Sequence, residues 1–202
     1  MRYVCWFVAV LSIAGCASSP ASLKEAAEPS FREQLKAVLA GDDDTIEVTE
    51  VVVSPAELEL LSRADNLTKL RLDQTPVDDH MAEILATLPQ LQFVNLPKSE
   101  ITDAGLAELA KLRHLIQLRI GSPYLTDAGF ESLTGNESLR FLHVLRTPLT
   151  NAALKHIAEI HSLESFYADQ TRFTEPGLAR LIERRPRLHV HFDDAHLPGQ
   201  EH

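Results

Sequence analysis

Leu91-Gln92-Phe93-Val94-Asn95-Leu96 is followed 24 residues on by Leu115-Ile116-Gln117-Leu118-Arg119-Ile120, and after the same interval by Leu139-Arg140-Phe141-Leu142-His143-Val144. In each hexapeptide the first, fourth and sixth residues are apolar and the fifth is polar. On an extended chain the fourth and sixth share one face, and the third and fifth share the other. Working outward, the frame holds Leu67, Leu70 and Leu72 on one side and Leu163, Phe166 and Ala168 on the other. It reaches back to Ile46 and Val48 and forward to Val190 and Phe192, where the leading leucine slips one place to Leu188. A fixed period of this size marks a repeat array, in which each unit buries its apolar side only against its neighbours.

The second half of each unit is equally regular. Ser54, Asp78, Thr102, Thr126, Thr150 and Thr174 recur at the same interval. Each side chain can accept from the early N–H groups of a helix, so these are expected N-caps. Apolar residues follow at helical spacing, as in Leu106, Leu109 and Leu112 or Leu154, Ile157 and Ile160. Each repeat then reads as a short strand, a turn and a helix of about 10 residues.

Ile101-Thr102-Asp103-Ala104-Gly105-Leu106 and Leu125-Thr126-Asp127-Ala128-Gly129-Phe130, joined to the L-x-x-L-x-L strands, resemble the leucine-rich repeat. The resemblance is to its cysteine-containing, F-box-type subfamily and covers residues 43–193. It implies an α/β right-handed solenoid with about seven parallel strands on the concave side and six helices on the convex side. For function it implies little, because one fold hosts many sites. One column departs from the family pattern: where Asn or Cys is usual stand Val51, Thr75, Ser99, Pro123, Thr147 and Thr171. Hydroxyls replace part of that ladder, Val51 and Pro123 cannot, and the turn Gly121-Ser122-Pro123 is expected to be irregular.

Two segments precede the array. Met1-Arg2, an apolar run from Tyr3 to Ala14 and then Gly15-Cys16 describe an export signal. Ile13-Ala14-Gly15-Cys16 resembles the lipobox of bacterial lipoproteins, which implies a signal peptide over 1–15 and lipid on the Cys16 thiol. Ala17 rather than Asp follows, which resembles the outer-membrane sorting pattern with the protein facing the periplasm. Residues 16–29 read as a tether rich in Ala, Ser, Glu and Pro. Ser30-Phe31-Arg32-Glu33 fits a capping box and Gly41 a helix stop, so 30–42 is expected to be a capping helix. Residues 194–202 form the tail.

The array has two outward columns. One is Lys69, Phe93, Gln117, Phe141, Ser165 and His189; the other is Arg71, Asn95, Arg119, His143, Tyr167 and His191. Aromatic and Arg side chains are what interface hot spots favour, so the concave face, Lys69 to Tyr167, is the expected protein- or peptide-binding surface. His189, His191 and Asp193 share one face of the last strand, and two imidazoles with a carboxylate can ligate zinc or copper. The other reading of that strand is a polar face shielding the sheet edge.

Composition narrows the rest. Of 202 residues 31 are Leu, the net charge is −10, and only Cys5 and Cys16 are cysteines. The charge argues against nucleic acid as partner, and the cysteines against a disulfide scaffold. No nucleophile elbow, dinucleotide fingerprint or phosphate loop occurs, and His156 and His161 are spaced wrongly for a zinc helix. The expectation is a non-enzymatic, cofactor-free interaction module, anchored in the bacterial outer membrane and facing an envelope partner. A scaffold component of an envelope complex and a metal-binding lipoprotein are the alternatives.

Overall fold

The computed structural model describes residues 29–193 and the backbone of 195–196. Cys16, the signal segment and the tether up to residue 28 lie outside the described residues, as do Asp194 and 197–202.

Seven parallel strands run in sequence order: β1 Thr45–Val48, β2 Lys69–Leu72, β3 Phe93–Leu96, β4 Gln117–Ile120, β5 Phe141–Leu145, β6 Ser165–Asp169 and β7 His189–Phe192. The period sets the register directly. Lys69 pairs with Phe93, Phe93 with Gln117, Gln117 with Phe141, and Phe141 with Ser165. Leu70, Val94, Leu118, Leu142 and Phe166 are buried beneath them in one continuous core.

Both edges of the sheet are partly covered. At the β1 edge, the Gln34 side chain accepts from Glu47 N–H at 2.7 Å and donates to Glu47 C=O at 2.7 Å, imitating a neighbouring strand. Gln34 belongs to α1, Phe31–Ala40, whose start is a Ser30–Glu33 capping box and whose end is Gly41 at φ 79°. At the far edge the chain turns back through Asp193 (φ 47°) and Ala195–His196 pairs antiparallel with β7 as β8. The residues read as the start of a tail thus supply an eighth strand. Open edges invite pairing with other chains, and among the described residues these contacts cover part of each edge.

The convex side departs from the expected run of ten-residue helices. It holds α2 Pro55–Leu58, continuing as 3₁₀ Glu59–Arg63, then α3 Asp79–Ala86, α4 Asp103–Leu109, a 3₁₀ segment Asp127–Gly135, α5 Leu154–Glu159 and α6 Glu175–Arg184. Two features account for the long 3₁₀ stretch. Gly129, Ser132, Thr134 and Gly135 are weak helix formers. In addition, the Ser132 and Thr134 hydroxyls donate to the carbonyls of Gly129 and Glu131, three residues back, and so compete with i−4 bonding.

The Thr-Asp-x-Gly motif acts across repeats. Asp103 accepts from Thr126 N–H at 2.8 Å and from the Thr126 hydroxyl at 2.6 Å. Asp79 does the same for Thr102, and Asp127 for Thr150. Asn151 closes the series on Thr174, accepting from its N–H at 3.0 Å and donating to its hydroxyl at 2.8 Å. Glycine three residues after the threonine leaves room for the previous repeat's acid. A Cβ on Gly129 would lie 2.1 Å from Asp103 Oδ1, and one on Gly105 2.3 Å from Asp79 Oδ1. Where this position is Ala153, residues 151–153 form a turn and α5 begins only at Leu154. Thr126 does not cap its own segment through its side chain as expected, whereas Thr102, whose hydroxyl donates to Asp79 in the same way, also accepts from Ala104 N–H. Asp103→Ala, which removes two charge-assisted bonds, is expected to cost about 2 kcal/mol; urea denaturation measures it, and an unchanged midpoint would contradict the ladder.

The departing column is bonded only in part, for the buried Thr147 and Thr171 hydroxyls have no hydrogen-bond partner among the described residues. Thr75 and Ser99 are buried and bonded, to Val53 N–H and to Gly121 C=O. At Pro123 the role moves back one residue: buried Ser122 donates to Ile101 C=O at 2.7 Å. Val51 stands exposed beside the first repeat.

Candidate functional site

The third and fifth positions of the strands emerge on the concave face, as their alternation requires. Lys69 is exposed and pairs with Glu47 at 2.6 Å, while Arg71 grips Asp73 through two bonds of 2.9 and 2.6 Å. Phe93, Asn95, Gln117, Arg119, His143 and Tyr167 are half-buried, and Phe141 is 38% exposed. All nine candidate residues therefore lie on one surface. Strands about 4.8 Å apart place Phe93 and Phe141 about 10 Å from each other, with Gln117 between.

A chain of polar contacts crosses four of these strands. Arg119 donates to Asn95 Oδ1 at 3.1 Å and, through Nε, to His143 Nδ1 at 3.2 Å. A guanidinium only donates, so Nδ1 must accept and the ring proton sits on Nε2. His143 Nε2 faces Asp169 Oδ2 at 2.5 Å. The rings of His143 and Tyr167 lie 5.6 Å apart, and Tyr167 stacks on His191 at 4.2 Å with 6° between planes. Burial holds the Arg119 guanidinium below its ordinary pKa; Asp73 and Asp169 oppose the shift, and Arg71 and Arg146 add to it. These mutual contacts fix the rotamers of a polar surface before any partner arrives, which lowers the ordering cost of binding.

The concave surface also carries two adjoining hollows. One, about 500 Å³, is lined by Glu47, Lys69, Arg71, Phe93, Asn95 and Gln117. The other, about 400 Å³, sits at the C-terminal ends of the strands.

The last strand is arranged differently from the expected ligand set. His191 is stacked against Tyr167, and Asp193 Oδ1 accepts from Gln170 N–H at 2.9 Å. Among the described residues no three His, Cys, Asp or Glu side chains gather as a metal would require, and no helix is long and apolar enough to cross a membrane. The basic run at Arg184-Arg185-Pro186-Arg187 has a structural use at its centre. Arg185 donates to the carbonyls of Ala158, Ile160, His161 and Leu163, closing the end of the preceding repeat. Asn136 performs this task two repeats' length earlier, on Ala110 and Leu112.

No protein-family model and no curated protein matches the chain. Solved structures do. The internalin InlF of Listeria monocytogenes superposes with a TM-score of 0.54 at 19% identity, covering 74% of this chain and 39% of that one. Internalin C2 from the same organism gives 0.55 at 15% identity, covering 86% and 89%. The fold is a leucine-rich-repeat solenoid. A pollen receptor kinase 3 gives 0.50 at 17% identity, covering 79% of this chain and 78% of that one. The chain thus spans about two fifths of the length of InlF, 39%. At these identities the likeness extends to the leucine-rich-repeat fold and not to any ligand.

Sequence reasoning missed Arg146 and Asp169. Both follow the sixth strand position of their repeats, where alternation no longer says which way a side chain faces. Arg146 stands at φ 50° and its guanidinium returns over the sheet to donate to Pro97 C=O at 3.0 Å. A signal did exist for Asp169: Asp73, Pro97, Gly121, Leu145 and Asp169 form a further column at the strand ends.

Proposed function

We propose that this protein is a lipid-anchored component of the bacterial envelope, held at Cys16, that binds a protein or peptide partner on the concave face of its leucine-rich-repeat sheet. The observation that carries the binding reading is the concentration of Phe93, Arg119, Phe141 and Tyr167 on four adjacent strands, crossed by the Asn95–Arg119–His143–Asp169 contacts. A merely solvated sheet needs no half-exposed Phe141 beside locked Arg and Tyr side chains, whereas an interface centre uses them. The lipobox-like Ile13-Ala14-Gly15-Cys16 supports the anchor, and Ala17 an outer-membrane position facing the periplasm.

Crosslinking in envelope fractions, read by mass spectrometry, tests both halves. Cys16→Ser is expected to abolish palmitate labelling; persistent labelling would remove the anchor from the proposal. Phe141→Ala with Tyr167→Ala is expected to leave the melting curve cooperative while weakening partner recovery at least about tenfold, or about 1.4 kcal/mol. Full recovery by that variant, with loss on substitution of convex helices, would favour the scaffold reading.

A further inference from the structure

The hollow at the C-terminal strand ends is lined by four cations, Arg71, Lys98, Arg119 and Arg146, and by a single carboxylate, Asp73. That carboxylate is already taken by the two-bond grip of Arg71. The other three cations rest on neutral acceptors: Lys98 on Gln74 Oε1 at 2.5 Å, Arg119 on Asn95 and His143, and Arg146 on Pro97 C=O. Among the described residues none of the three has a carboxylate within ion-pair distance. Such a gathering is unexpected in a chain of net charge −10, which has acids in surplus to neutralise it. Like charges focused in a concavity repel one another, and an arriving anion relieves that repulsion.

The geometry points to a carboxylate-bearing segment of an acidic peptide as the occupant of this hollow, seated on Arg119 and Arg146. The inference rests on the concave-face reading and adds the chemistry of the partner. Guanidinium forks match the planar carboxylate, with Lys98 as a mobile point charge beside them. The second hollow shares Arg71 and Asn95 with this one and is lined by Phe93, so the two adjoin. Asn95 and Phe93 are two residues apart on β3, roughly 7 Å along the strand. An extended segment therefore places an apolar side chain on Phe93 and an acidic one among the arginines two or three residues later.

Titration of ¹⁵N-labelled protein with acetyl-Phe-Gly-Glu-Glu-amide tests this, read at the Arg119 and Arg146 Nε–H resonances. Saturable shifts are expected, with affinity at least about tenfold above that of the isosteric Gln-Gln peptide, and weakening as salt is raised. Arg119→Gln with Arg146→Gln should erase the difference between the two peptides, while Arg119→Lys, which keeps the charge and the packing stem, should retain part of it. Equal affinity for the Glu and Gln peptides, or undiminished preference in the double variant, overturns the inference. Tighter binding of inorganic phosphate than of the Glu peptide, or Arg119-dependent binding to phosphatidylglycerol vesicles, overturns it in favour of a phosphate or a lipid surface. The two levels of the proposal separate cleanly. Partner recovery lost with Phe141→Ala and Tyr167→Ala but untouched by the arginine variants leaves the concave interface standing and removes the acidic peptide; indifference to both removes both.

Discussion

Leu142→Asp is expected to abolish cooperative folding, whereas Phe141→Asp, one residue earlier, is expected to leave the fold intact. Leu142 is fully buried between Leu118 and Phe166 in the central strands, and Phe141 is 38% exposed on the concave face. A carboxylate at position 142 meets only aliphatic and aromatic neighbours, with no cation to pair with. Removal of the leucine methyls and burial of an unpaired charge together are expected to cost at least about 4 kcal/mol. Because each repeat is stabilised by stacking on the next, the loss falls in the middle of the array and uncouples its two halves. Circular dichroism during heating distinguishes the two variants. Equal melting of both would refute the assignment of the strand faces, and the reverse order would invert it.

Gly121→Ala is the second large effect. A Cβ at this position would lie 2.4 Å from Pro97 O and 2.7 Å from Leu145 O, backbone atoms of the two flanking repeats. Side chains can rotate away from an added methyl, but these carbonyls cannot, since Gly121 N–H also bonds Leu96 C=O and Gly121 C=O receives Ser99. Separating the repeats there is expected to cost about 3 kcal/mol. Gly135→Ala is the matched control. Nothing lies within 4 Å of its Cβ position, so the alanine is expected to be neutral or to stabilise by about 0.5 kcal/mol through the unfolded chain. A Gly121→Ala variant as stable as the Gly135→Ala variant in guanidinium would refute the close approach.

The strands were readable because alternation and period act at every repeat and point the same way. Leu118, Leu142 and Phe166 each satisfy both, and their burial follows. The helices were less readable because the convex side tolerates more than one geometry. Thr126 looked like a cap on local grounds, yet its hydroxyl serves a carboxylate 23 residues back. Asp103 likewise bonds outside its own repeat. Its true partner becomes visible only when the columns Asp79, Asp103, Asp127, Asn151 and Gly105, Gly129, Gly177 are set side by side as acceptor and vacancy. The nine concave residues were legible from the outward columns. Arg146 was not, because it reaches the surface from a left-handed turn beyond the strand, a conformation that a nonglycine sequence does not announce.

The acid–threonine–glycine joints carry a consequence for how such a chain can change length. Each joint takes its acid, or Asn151, from one unit and its threonine, with glycine in three of the four, from the next, so no unit owns a complete joint. Copying any stretch of 24 residues that lies within 82–150 brings one of each into the new junction and leaves every older junction intact. A copy one residue longer or shorter sets a carboxylate against the wrong amide and turns a strand inside out at the same step. The joint is thus a ruler: gain or loss of whole repeats is tolerated, slippage within one is not, and the ends partly covered by Gln34 and Ala195–His196 stay where they are while the middle grows or shrinks.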